Sequence, residues 1–596
     1  MRVAVVDKQL CRPNKCNTEC VRFCPRVRGG VLDTIKIDEE TGKAIISEEL
    51  CTGCGICVNK CPFKAIRVVN LPEELKEVCV HQYGLNSFRL YRLPVVRLGK
   101  SVGVIGRNGV GKSTALSILS GTLKPNLGDL GEEKDWSDVA KFFKGSELQK
   151  YFEMIGNGEI RVSYKPQNVS LIPRVHSGKV EKLLQRVDER GVLSELTNTL
   201  EIEEVLDREI SSLSGGELQR VAIAAALSKE ADLYILDEPC SFVDVYQRIN
   251  VAKAIREISE MGKGVVLVEH DATILDFISD YVHVIYGEPG VYGIVSSTYS
   301  VREGVNSFLQ GYLKTENVKI REYEIKFEIK PPIDIKREED YLFKYPSMKK
   351  CLNGFSLEIA SGGFYKGEII GVLGPNGIGK TTFARILAGE LEPDSVEWEF
   401  EEVRISHKPQ YIDLSFEGTV EDLLRSLSPE FGKREYEIEI ISPLKLKMIL
   451  EREISSLSGG ELQRVAIAAA LSKEADLYIL DEPTAFLDLE ERINLSRIIR
   501  RIIEKKESVA LVIDHDIQLI DVISDRIMIF RGEPGKRGLA LPPSSKREGM
   551  NTFLRDMDIT YRRDPVTGRP RINKPGSRLD REQREKGDYY YVSGDR

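Results

Sequence analysis

The sequence predicts an α/β fold in which one domain occurs twice in tandem, behind a small α+β domain at the N-terminus. The first observation is an internal repeat, because Arg208–Pro239 recurs letter for letter at Arg452–Pro483. The second is that eight of the eleven cysteines lie in the first 61 residues. At about 100–200 residues per domain, a chain of 596 residues holds three to five domains.

Composition narrows the function classes. The formal net charge of −8, with 30% charged residues, does not indicate a globally basic nucleic-acid binder. No run approaches the roughly 20 apolar residues of a membrane span, and the N-terminus lacks the apolar segment of a secretory signal. We therefore expect a cytoplasmic protein without a membrane partner. Because the cytosol is reducing, clustered cysteines there indicate metal ligands more than disulfides.

Both copies carry a phosphate-binding loop. The pattern G-x-x-x-x-G-K-[ST] follows an apolar strand and precedes a helix in each copy, which is the context that the motif requires. Backbone N–H groups of such a loop close around phosphate oxygens at a helix N-terminus. Lys112 and Lys380 would bind the β- and γ-phosphates, and Ser113 and Thr381 would hold Mg²⁺. The candidate nucleotide-binding residues are Gly106, Asn108, Gly109, Gly111, Lys112, Ser113 and Thr114, and Gly374, Asn376, Gly377, Gly379, Lys380, Thr381 and Thr382.

Acidic and polar residues at matched positions predict catalysis. The buried strand LYILDEP ends in Asp237 and Glu238, and its repeat ends in Asp481 and Glu482. The aspartates would complete the Mg²⁺ shell, and the glutamates would polarise an attacking water. Gln167 follows Tyr164-Lys-Pro, and Gln410 follows the matching His407-Lys-Pro; both could sense the metal and the water. His270 and His515 each end an apolar strand, from which a side chain could reach the γ-phosphate.

A second anion-binding group decides the class. LSGGE at Leu213–Glu217 and Leu457–Glu461 offers a hydroxyl and N–H donors for an anion at a helix start. Because the phosphate loop of the same copy already binds its own nucleotide, this group must face a nucleotide elsewhere. This motif resembles the signature of the ATP-binding cassette (ABC) family. The resemblance implies that two cassettes pack head to tail, so that ATP on Lys112 meets the second signature and ATP on Lys380 meets the first. The residues implied are Ser214, Gly215, Gly216, Ser458, Gly459 and Gly460 in the signatures, Asp244 and Asp488 in the D-loops, and Tyr83 and Tyr345 as aromatics that stack on adenine.

The two sites differ in sequence. The first copy reads EPCSFVD where the second reads EPTAFLD, and Arg107 of the first phosphate loop is replaced by Pro375 in the second. We therefore predict unequal behaviour of the two ATP sites.

The cysteines form two runs. Cys51, Cys54, Cys57 and Cys61 before Pro62 have the C-x2-C-x2-C-x3-C-P spacing of bacterial ferredoxins. The resemblance to two-cluster ferredoxins, in which the fourth cysteine of each run ligates the other cluster, implies two [4Fe–4S] clusters. One would be held by Cys11, Cys16, Cys20 and Cys61, and the other by Cys51, Cys54, Cys57 and Cys24. Zinc remains the alternative, since CxxC pairs also bind it.

The first copy also carries an insert near residues 129–156, because 55 positions separate Lys112 from Gln167 but only 30 separate Lys380 from Gln410. The pattern predicts two short helices, at 135–143 and 146–155. Its lysines and aromatics suggest either contact with RNA or a helix pair docked on its own cassette. Because the second copy lacks the insert, we expect that the cassette fold does not need it. The tail from Tyr561 to Lys586 has a local charge of +5 and is predicted to be solvated, with a possible role in phosphate binding.

A ferredoxin-like domain, two fused cassettes and an insert in the first resemble one family, the ribosome-recycling ABC ATPases of subfamily E, also called the RNase L inhibitor family. The resemblance implies an ATPase that splits post-termination or stalled ribosomes with a release factor or its rescue paralogue, contacts mainly the small subunit and its rRNA, and works as a monomer with paired cassettes. Its cofactors would be ATP, Mg²⁺ and two [4Fe–4S] clusters. REGVNSFL and REGMNTFL resemble the family's hinge segments. The domain bounds that we predict are 1–72 (iron–sulfur), 73–292 (first cassette), 293–320 (hinge), 321–540 (second cassette) and 541–596 (second hinge and tail).

Two other classes are weaker alternatives. An iron–sulfur electron-transfer ATPase is one, but no segment resembles a flavin, haem or substrate site. A DNA-repair ABC protein is the other, but the motif spacing leaves no room for its long coiled coil or zinc module.

Overall fold

The iron–sulfur domain is a small α+β unit. The computed structural model describes residues 2–8, 10–39, 41–70, 78–327, 341–352, 354–395, 403–410 and 416–590. In the N-terminal domain, β1 pairs antiparallel with β4 and β2 with β3, so the first and last strands close the domain. The elements are β1 (Arg2–Val6), α1 (Glu19–Arg22), α2 (Pro25–Arg28), β2 (Ile35–Ile37), β3 (Ala44–Ile46), α3 (Ile56–Lys60) and β4 (Ile66–Asn70).

The first cassette is built on a mixed sheet with strand order β5-β6-β12-β11-β7-β10-β9-β8. Its central strands β7, β8, β9 and β10 run parallel and are almost entirely apolar, as expected for strands covered on both faces. The strands are β5 (Cys79–Gln82), β6 (Arg89–Tyr91), β7 (Ser101–Gly106), β8 (Val162–Lys165), β9 (Leu233–Asp237), β10 (Gly264–Val268), β11 (Tyr281–Glu288), β12 (Tyr292–Val295) and β13 (Tyr299–Ser300). The helices are α4 (Lys112–Leu119), α5 (Trp136–Phe142), α6 (Glu147–Asn157), α7 (Ile172–Val175), α8 (Val180–Val187), α9 (Leu193–Thr199), α10 (Gly215–Leu227), α11 (Val245–Glu260) and α12 (Ala272–Ile278).

A hinge segment joins this cassette to the next. Its elements are α13 (Val301–Gln310), β14 (Tyr312–Leu313) and β15 (Val318–Lys319).

The second cassette repeats the topology, with strand order β17-β18-β25-β24-β20-β23-β22-β21. Its strands are β16 (Tyr341–Tyr345), β17 (Met348–Leu352), β18 (Phe355–Ile359), β19 (Gly362–Tyr365), β20 (Ile369–Leu373), β21 (Ile405–Lys408), β22 (Leu477–Asp481), β23 (Val509–Ile513), β24 (Arg526–Glu533), β25 (Arg537–Ala540) and β26 (Ser544–Ser545). Its helices are α14 (Lys380–Leu387), α15 (Val420–Leu427), α16 (Arg434–Tyr436), α17 (Gly459–Ser472), α18 (Leu489–Lys506) and α19 (Ile517–Ile523). The predicted fold class, with two tandem α/β cassettes behind a small α+β domain, is confirmed.

The C-terminal segment is folded, contrary to the prediction of a solvated tail. It comprises α20 (Lys546–Asp556), β27 (Tyr561–Arg563), β28 (Pro570–Ile572) and α21 (Arg578–Lys586). Arg563 pairs with Asp521 of the second cassette at 2.5 Å, and Arg571 pairs with Asp276 of the first, also at 2.5 Å. Part of the basic charge of this segment therefore binds both cassettes, through Asp276 on α12 and Asp521 on α19.

Two further sequence-based boundaries can be compared with the structure. Strands β12 and β13 both pair with β11 in the first sheet, so the predicted cassette end at 292 is too early and the hinge begins after Ser300. The predicted boundary between residues 72 and 73 lies outside the described residues. Among the described helices, none combines the length and the apolar character of a membrane span.

The insert forms the two predicted helices, α5 and α6, and packs on its own cassette. Phe152 is fully buried, its ring stacks on Trp136 with centroids 5.9 Å apart, and Tyr151 donates to the carbonyl of Leu119. The aromatics therefore belong to the hydrophobic core of the first cassette. Lys141, Lys144 and Lys150 remain exposed.

Candidate ATP sites and cysteine clusters

The predicted catalytic residues meet at the carboxyl ends of neighbouring parallel strands. Asp237 ends β9, His270 follows β10, Gln167 follows β8, and the phosphate loop joins β7 to α4. In an open parallel sheet this edge is where ligands bind, because the loops after adjacent strands converge there. The second cassette places Asp481, His515, Gln410 and its own loop in the same way. We call the site of the first phosphate loop site 1 and that of the second loop site 2.

Each phosphate-loop lysine is buried and held by its own loop. Lys112 Nζ donates to the carbonyls of Gly106 at 3.0 Å and Arg107 at 2.9 Å, and Lys380 Nζ donates to those of Gly374 at 2.8 Å and Pro375 at 2.7 Å. Burial lowers the pKa of Lys380 to about 8. A phosphate in this position would raise this pKa again, because an anion beside the ammonium group favours the charged form.

The residues proposed for Mg²⁺ lie together, and at site 1 their carboxylate has no partner among the described residues. Both oxygens of Asp237 are buried without a hydrogen bond, and burial together with the charge of Glu238 raises its pKa to about 6. Ser113 Oγ donates to Gln167 Oε1 at 3.4 Å nearby. In site 2, Thr381 Oγ1 donates to Asp481 Oδ2 at 2.7 Å. Carboxylate, hydroxyl and amide oxygens are the ligands that Mg²⁺ prefers, and a buried carboxylate without a hydrogen bond fits the role of a metal ligand.

Each candidate catalytic glutamate accepts a hydrogen bond from the glutamine of its own cassette and lies close to the histidine of the same cassette. Glu238 Oε1 accepts from Gln167 Nε2 at 2.8 Å and lies 3.2 Å from His270 Nε2. Glu482 Oε1 accepts from Gln410 Nε2 at 2.6 Å and lies 3.3 Å from His515 Nε2. Burial raises the pKa of Glu238, but His270 and Lys112 outweigh it, so the net shift is downward and the carboxylate stays charged.

Sequence reasoning missed the residues that hold these glutamates in place. Glu238 has φ +46° and Glu482 has φ +47°, a left-handed conformation that is strained for glutamate. Gln219 Nε2 donates to the Glu238 carbonyl at 2.8 Å, and Lys165 Nζ donates to the Asp237 carbonyl at 2.9 Å. Gln463 and Lys408 make the same bonds in the second cassette. The available signal was a glutamine that recurs in the same helix of both copies, just before the apolar run VAIAAAL.

One contact to a catalytic glutamate exists only in site 1. Ser241 Oγ donates to Glu238 Oε2 at 3.0 Å. The matching residue in the second cassette is Ala485, which cannot donate.

The two cassettes contact each other head to tail through their D-loops. Asp488 Oδ2 accepts from the backbone N–H of Asn108 at 3.0 Å, and Asp244 Oδ2 accepts from that of Asn376 at 2.9 Å. The other oxygen of each aspartate caps its own helix, α18 or α11. The predicted intramolecular pairing is present.

The signature loops lie beside this contact. Gly460 lies against the carbonyl of Phe486, which accepts from Asn108 Nδ2 at 3.4 Å, so the second signature neighbours the first phosphate loop. Ser214 and Ser458 are exposed, and each Oγ donates to the glutamate of its own capping box at 2.8 Å. Contact with a nucleotide would therefore require each serine to exchange this partner.

The two predicted adenine-stacking tyrosines have different surroundings. Tyr83 is 57% exposed, and its hydroxyl lies 3.2 Å from Thr114 Oγ1, beside the first phosphate loop. Tyr345 is 2% exposed and packs on Phe364 and Phe383 in the core of the second cassette. The prediction for Tyr345 is therefore wrong, because its ring faces apolar side chains rather than the nucleotide edge.

A half-buried phenylalanine lies beside each phosphate loop, Phe88 at the first and Phe355 at the second. A Cβ on Gly111 would lie 2.4 Å from the Phe88 ring, and one on Gly379 would lie 3.1 Å from the Phe355 ring. Phe355 is therefore the aromatic residue beside the second loop that sequence reasoning missed.

The cysteines divide into the two predicted crossed sets. Cys11, Cys16, Cys20 and Cys61 line one cavity, whereas Cys24, Cys51, Cys54 and Cys57 line another. Burial raises the pKa of Cys20 to about 12, and Cys61, Cys11 and Cys16 add to the shift. Four thiolates at such a site require a compensating cationic group.

Backbone N–H groups point at several of these sulfurs. Ala44 N donates to Cys11 Sγ at 3.5 Å, and Gly53 N and Ala65 N donate to Cys51 Sγ and Cys61 Sγ, each at 3.4 Å. Gly53 has φ +62°, and a Cβ there would lie 2.6 Å from the carbonyl of Arg2. In the described part of the chain, no three Cys, His, Asp or Glu side chains close on one point as the ligands of a single ion do. Four cysteines around one cavity are the ligand set of a four-iron cluster.

The iron–sulfur domain docks on two loops of site 1. Asn86 Oδ1 accepts from Val6 N at 3.0 Å and Asn86 Nδ2 donates to the carbonyl of Ala4 at 3.2 Å, so the loop between Tyr83 and Phe88 is bound to β1. Arg67 pairs with Glu288 at 3.2 Å and donates to the carbonyl of Pro289 at 2.5 Å. Gly290 N in that turn donates to the carbonyl of Gly109 in the phosphate loop at 2.8 Å.

Comparison with known proteins agrees with this arrangement. Residues 95–241 and 357–485 match the family model described as ABC transporter, residues 1–32 match "possible Fer4-like domain in RNase L inhibitor", and residues 44–67 match "4Fe-4S binding domain". The predicted cofactors, ATP, Mg²⁺ and [4Fe–4S] clusters, are thereby confirmed, and the chain is an ATPase.

Similar whole proteins are found in several organisms. An ABC transporter ATP-binding protein of Methanocaldococcus jannaschii is 54% identical over 99% of this chain and 98% of its own length. Translation initiation factor RLI1 of Saccharomyces cerevisiae is 43% identical over 99% of this chain and 98% of its own length.

Solved structures match as closely. ABCE1 from a model of ribosome-bound archaeal Pelota and ABCE1 has a TM-score of 0.92 at 53% identity, and covers 99% of both chains. An archaeal ribosome recycling factor, aABCE1, solved with the ribosomal stalk protein aP1, has a TM-score of 0.83 at 54% identity, over 87% of this chain and 100% of its own. The chain therefore belongs to the ABCE1 family of ABC ATPases, also called the RNase L inhibitor family.

Proposed function

We propose that this protein is an ATP-driven recycling factor that splits post-termination or stalled ribosomes into subunits, together with a release factor or its rescue paralogue. The observation that carries the proposal is the docking of the iron–sulfur domain on site 1 through Asn86 and Arg67. A movement of the phosphate loop, or of the loop between Tyr83 and Phe88 (the adenine-side loop), would therefore move the iron–sulfur domain as well. Mechanical work on a large partner requires such a connection. Relatives described as a ribosome recycling factor and as translation factors support the ribosome as that partner and the cytoplasm as the location.

At each site we assign the chemistry to the residues of one cassette and the closure to the other. Glu238 and Glu482 orient and polarise the attacking water, with Gln167, Gln410, His270 and His515 positioning them. Asp237 and Asp481 hold Mg²⁺ with Ser113 and Thr381, and the ion neutralises charge on the phosphates. Asp488 and Asp244 bring the opposite signature to each phosphate loop.

The crossed cysteine sets give the iron–sulfur domain its rigidity. A domain of about 70 residues builds little core, and cross-links or metal centres usually compensate. The clusters would tie α1, α3 and the loop before α3 to one another, so that the domain moves as one body when its contacts to site 1 change.

The test is direct. Intact ribosomes are incubated with the full-length protein, a release factor and ATP, and the subunits are separated on a sucrose gradient. Free subunits should accumulate only when protein, factor and ATP are all present. If the ribosomes stay intact with all three components present, the proposal is wrong. Omission of each component in turn is the control.

The basic outer face of the insert should contribute to binding of the small subunit. Reversing Lys141, Lys144 and Lys150 to Glu should weaken this binding at least about tenfold, because contacts to RNA phosphates dominate such affinity. Reversal of the exposed Lys182, Lys229 and Lys253 is the matched control. Equal binding by both triple variants, measured by sedimentation, would make the insert a structural element only.

Deletion of the whole insert is a poorer test of subunit binding than the lysine reversal, although the second cassette folds without such an insert. The packing argues against the expectation that the first cassette does not need the insert, since removal would uncover the core that Tyr151 and Phe152 fill. Loss of two buried aromatics typically destabilises a domain by several kcal/mol.

A further inference from the structure

One ion pair crosses the cassette interface at site 1. Arg107 Nε, in the first phosphate loop, lies 3.4 Å from Glu490 Oε2 of the second cassette. Glu490 is the second residue of α18 and follows the D-loop residue Asp488. Its side chain is 5% exposed, whereas that of Arg107 is 33% exposed.

Glu490 is also bound to the segment that directly follows β15, and through it to the hinge helix α13. Arg321 Nη1 lies 3.3 Å from Glu490 Oε2, and Tyr323 Oη donates to Glu490 Oε1 at 2.7 Å. Arg321 Nη2 in turn donates to the carbonyls of Phe308 and Leu309 near the end of α13, at 2.7 and 2.6 Å. A buried carboxylate needs such charge pairing, and here the pairing connects the hinge to the phosphate loop of site 1.

Site 2 has no equivalent. The D-loop aspartates Asp244 and Asp488 are matched in the repeat, so Tyr246 occupies the position of Glu490, and Pro375 occupies that of Arg107. Tyr246 packs edge-on against Phe553 of α20, with ring centroids 5.5 Å apart. At site 2 the position of Glu490 is therefore taken by an aromatic contact, and neither Tyr246 nor Pro375 has the charge that an ion pair needs.

We propose that Arg107 and Glu490 are positioning residues that tie the phosphate loop of site 1 to the hinge and retard opening of that site. The inference rests on ATP binding at both sites and not on ribosome splitting. Because the pair is partly exposed, its strength falls with rising salt. Site 1 should thus release nucleotide faster at high ionic strength, whereas release from site 2 should change little.

Nucleotide release from full-length protein tests the proposal. The probe is ATP carrying a fluorescent group on the ribose, and the background is Glu238→Gln with Glu482→Gln, so that hydrolysis does not interfere. The phase that Lys112→Ala abolishes is assigned to site 1. Arg107→Ala should accelerate this phase at least about threefold, remove its salt dependence and leave the other phase unchanged. The change is conservative for the fold, because Glu490 keeps Arg321 and Tyr323 as partners.

A double-mutant cycle keeps the outcome decisive. In a Glu490→Gln background, Arg107→Ala should have little further effect, and Arg107→Lys should restore part of the slow release in the parent. Tyr246→Phe, at the matching position of the first cassette, is the control and should alter neither phase. Equal acceleration of both phases by Arg107→Ala, or an undiminished effect in the Glu490→Gln background, would overturn the proposal, and neither result depends on ribosomes.

Discussion

Replacing Glu238 and Glu482 together by Gln should lower steady-state ATP turnover at least about a hundredfold while ATP remains bound. General-base assistance by a positioned carboxylate is typically worth about 10²–10⁴ in rate. Glutamine has nearly the same shape, so the bonds from Gln167 and Gln410 and the D-loop contacts are retained in large part. The cassettes should therefore close on ATP and stay closed.

The measurement is phosphate release together with ATP retained after rapid gel filtration. The exposed Glu204→Gln is the control for an altered charge elsewhere and should leave both unchanged. Turnover at the parent rate in the double variant would disprove the role of these glutamates.

The single variants should differ from each other. Ser241 binds Glu238 in site 1, but Ala485 leaves Glu482 without that partner. Identical turnover in Glu238→Gln and Glu482→Gln would contradict the predicted asymmetry of the sites.

Much of this site follows from sequence because each motif carries its own local geometry. A phosphate loop needs a strand before it and a helix after it, and a repeated acidic pair at a strand end needs the same sheet edge. The head-to-tail pairing, in contrast, was implied by the resemblance of the signature motif to that of the ABC family.

The residues that sequence reasoning missed or misplaced act through tertiary contacts. Lys165 and Gln219 hold the strained Glu238 peptide through long-range bonds to carbonyls, and although both residues recur in the second copy, the sequence does not show which carbonyls they bind. Tyr345, like Tyr83, resembles the adenine-stacking aromatics of the family, but its ring is buried against Phe364 and Phe383. The charge of the C-terminal segment suggested a solvated tail, because the acidic partners Asp276 and Asp521 lie far away in sequence.

Cys54→Ser should uncouple ATP use from ribosome splitting. A serine oxygen ligates cluster iron poorly, so the set formed by Cys24, Cys51, Cys54 and Cys57 should lose its cluster. That set lies beside β1, where Ala4 N donates to Cys51 Sγ at 3.5 Å, and β1 carries the Ala4 and Val6 groups that bind Asn86. The domain should loosen, and its contact with the adenine-side loop of site 1 should weaken.

The cassettes keep every residue assigned to phosphate and Mg²⁺. ATP hydrolysis by the isolated Cys54→Ser variant should therefore stay within about threefold of the parent, while the yield of free subunits falls at least about tenfold. Iron content, ATPase rate and subunit yield on a gradient are measured on the same preparation. Cys351→Ser, which changes an exposed cysteine outside the domain, should alter none of the three.

If the clusters act as structural cross-links, the parent should also split ribosomes equally well with and without added reductant, as long as its iron is retained. Normal splitting by an iron-depleted Cys54→Ser variant would disprove the mechanical role, and a requirement of the parent for an electron donor would instead favour an electron-transfer ATPase.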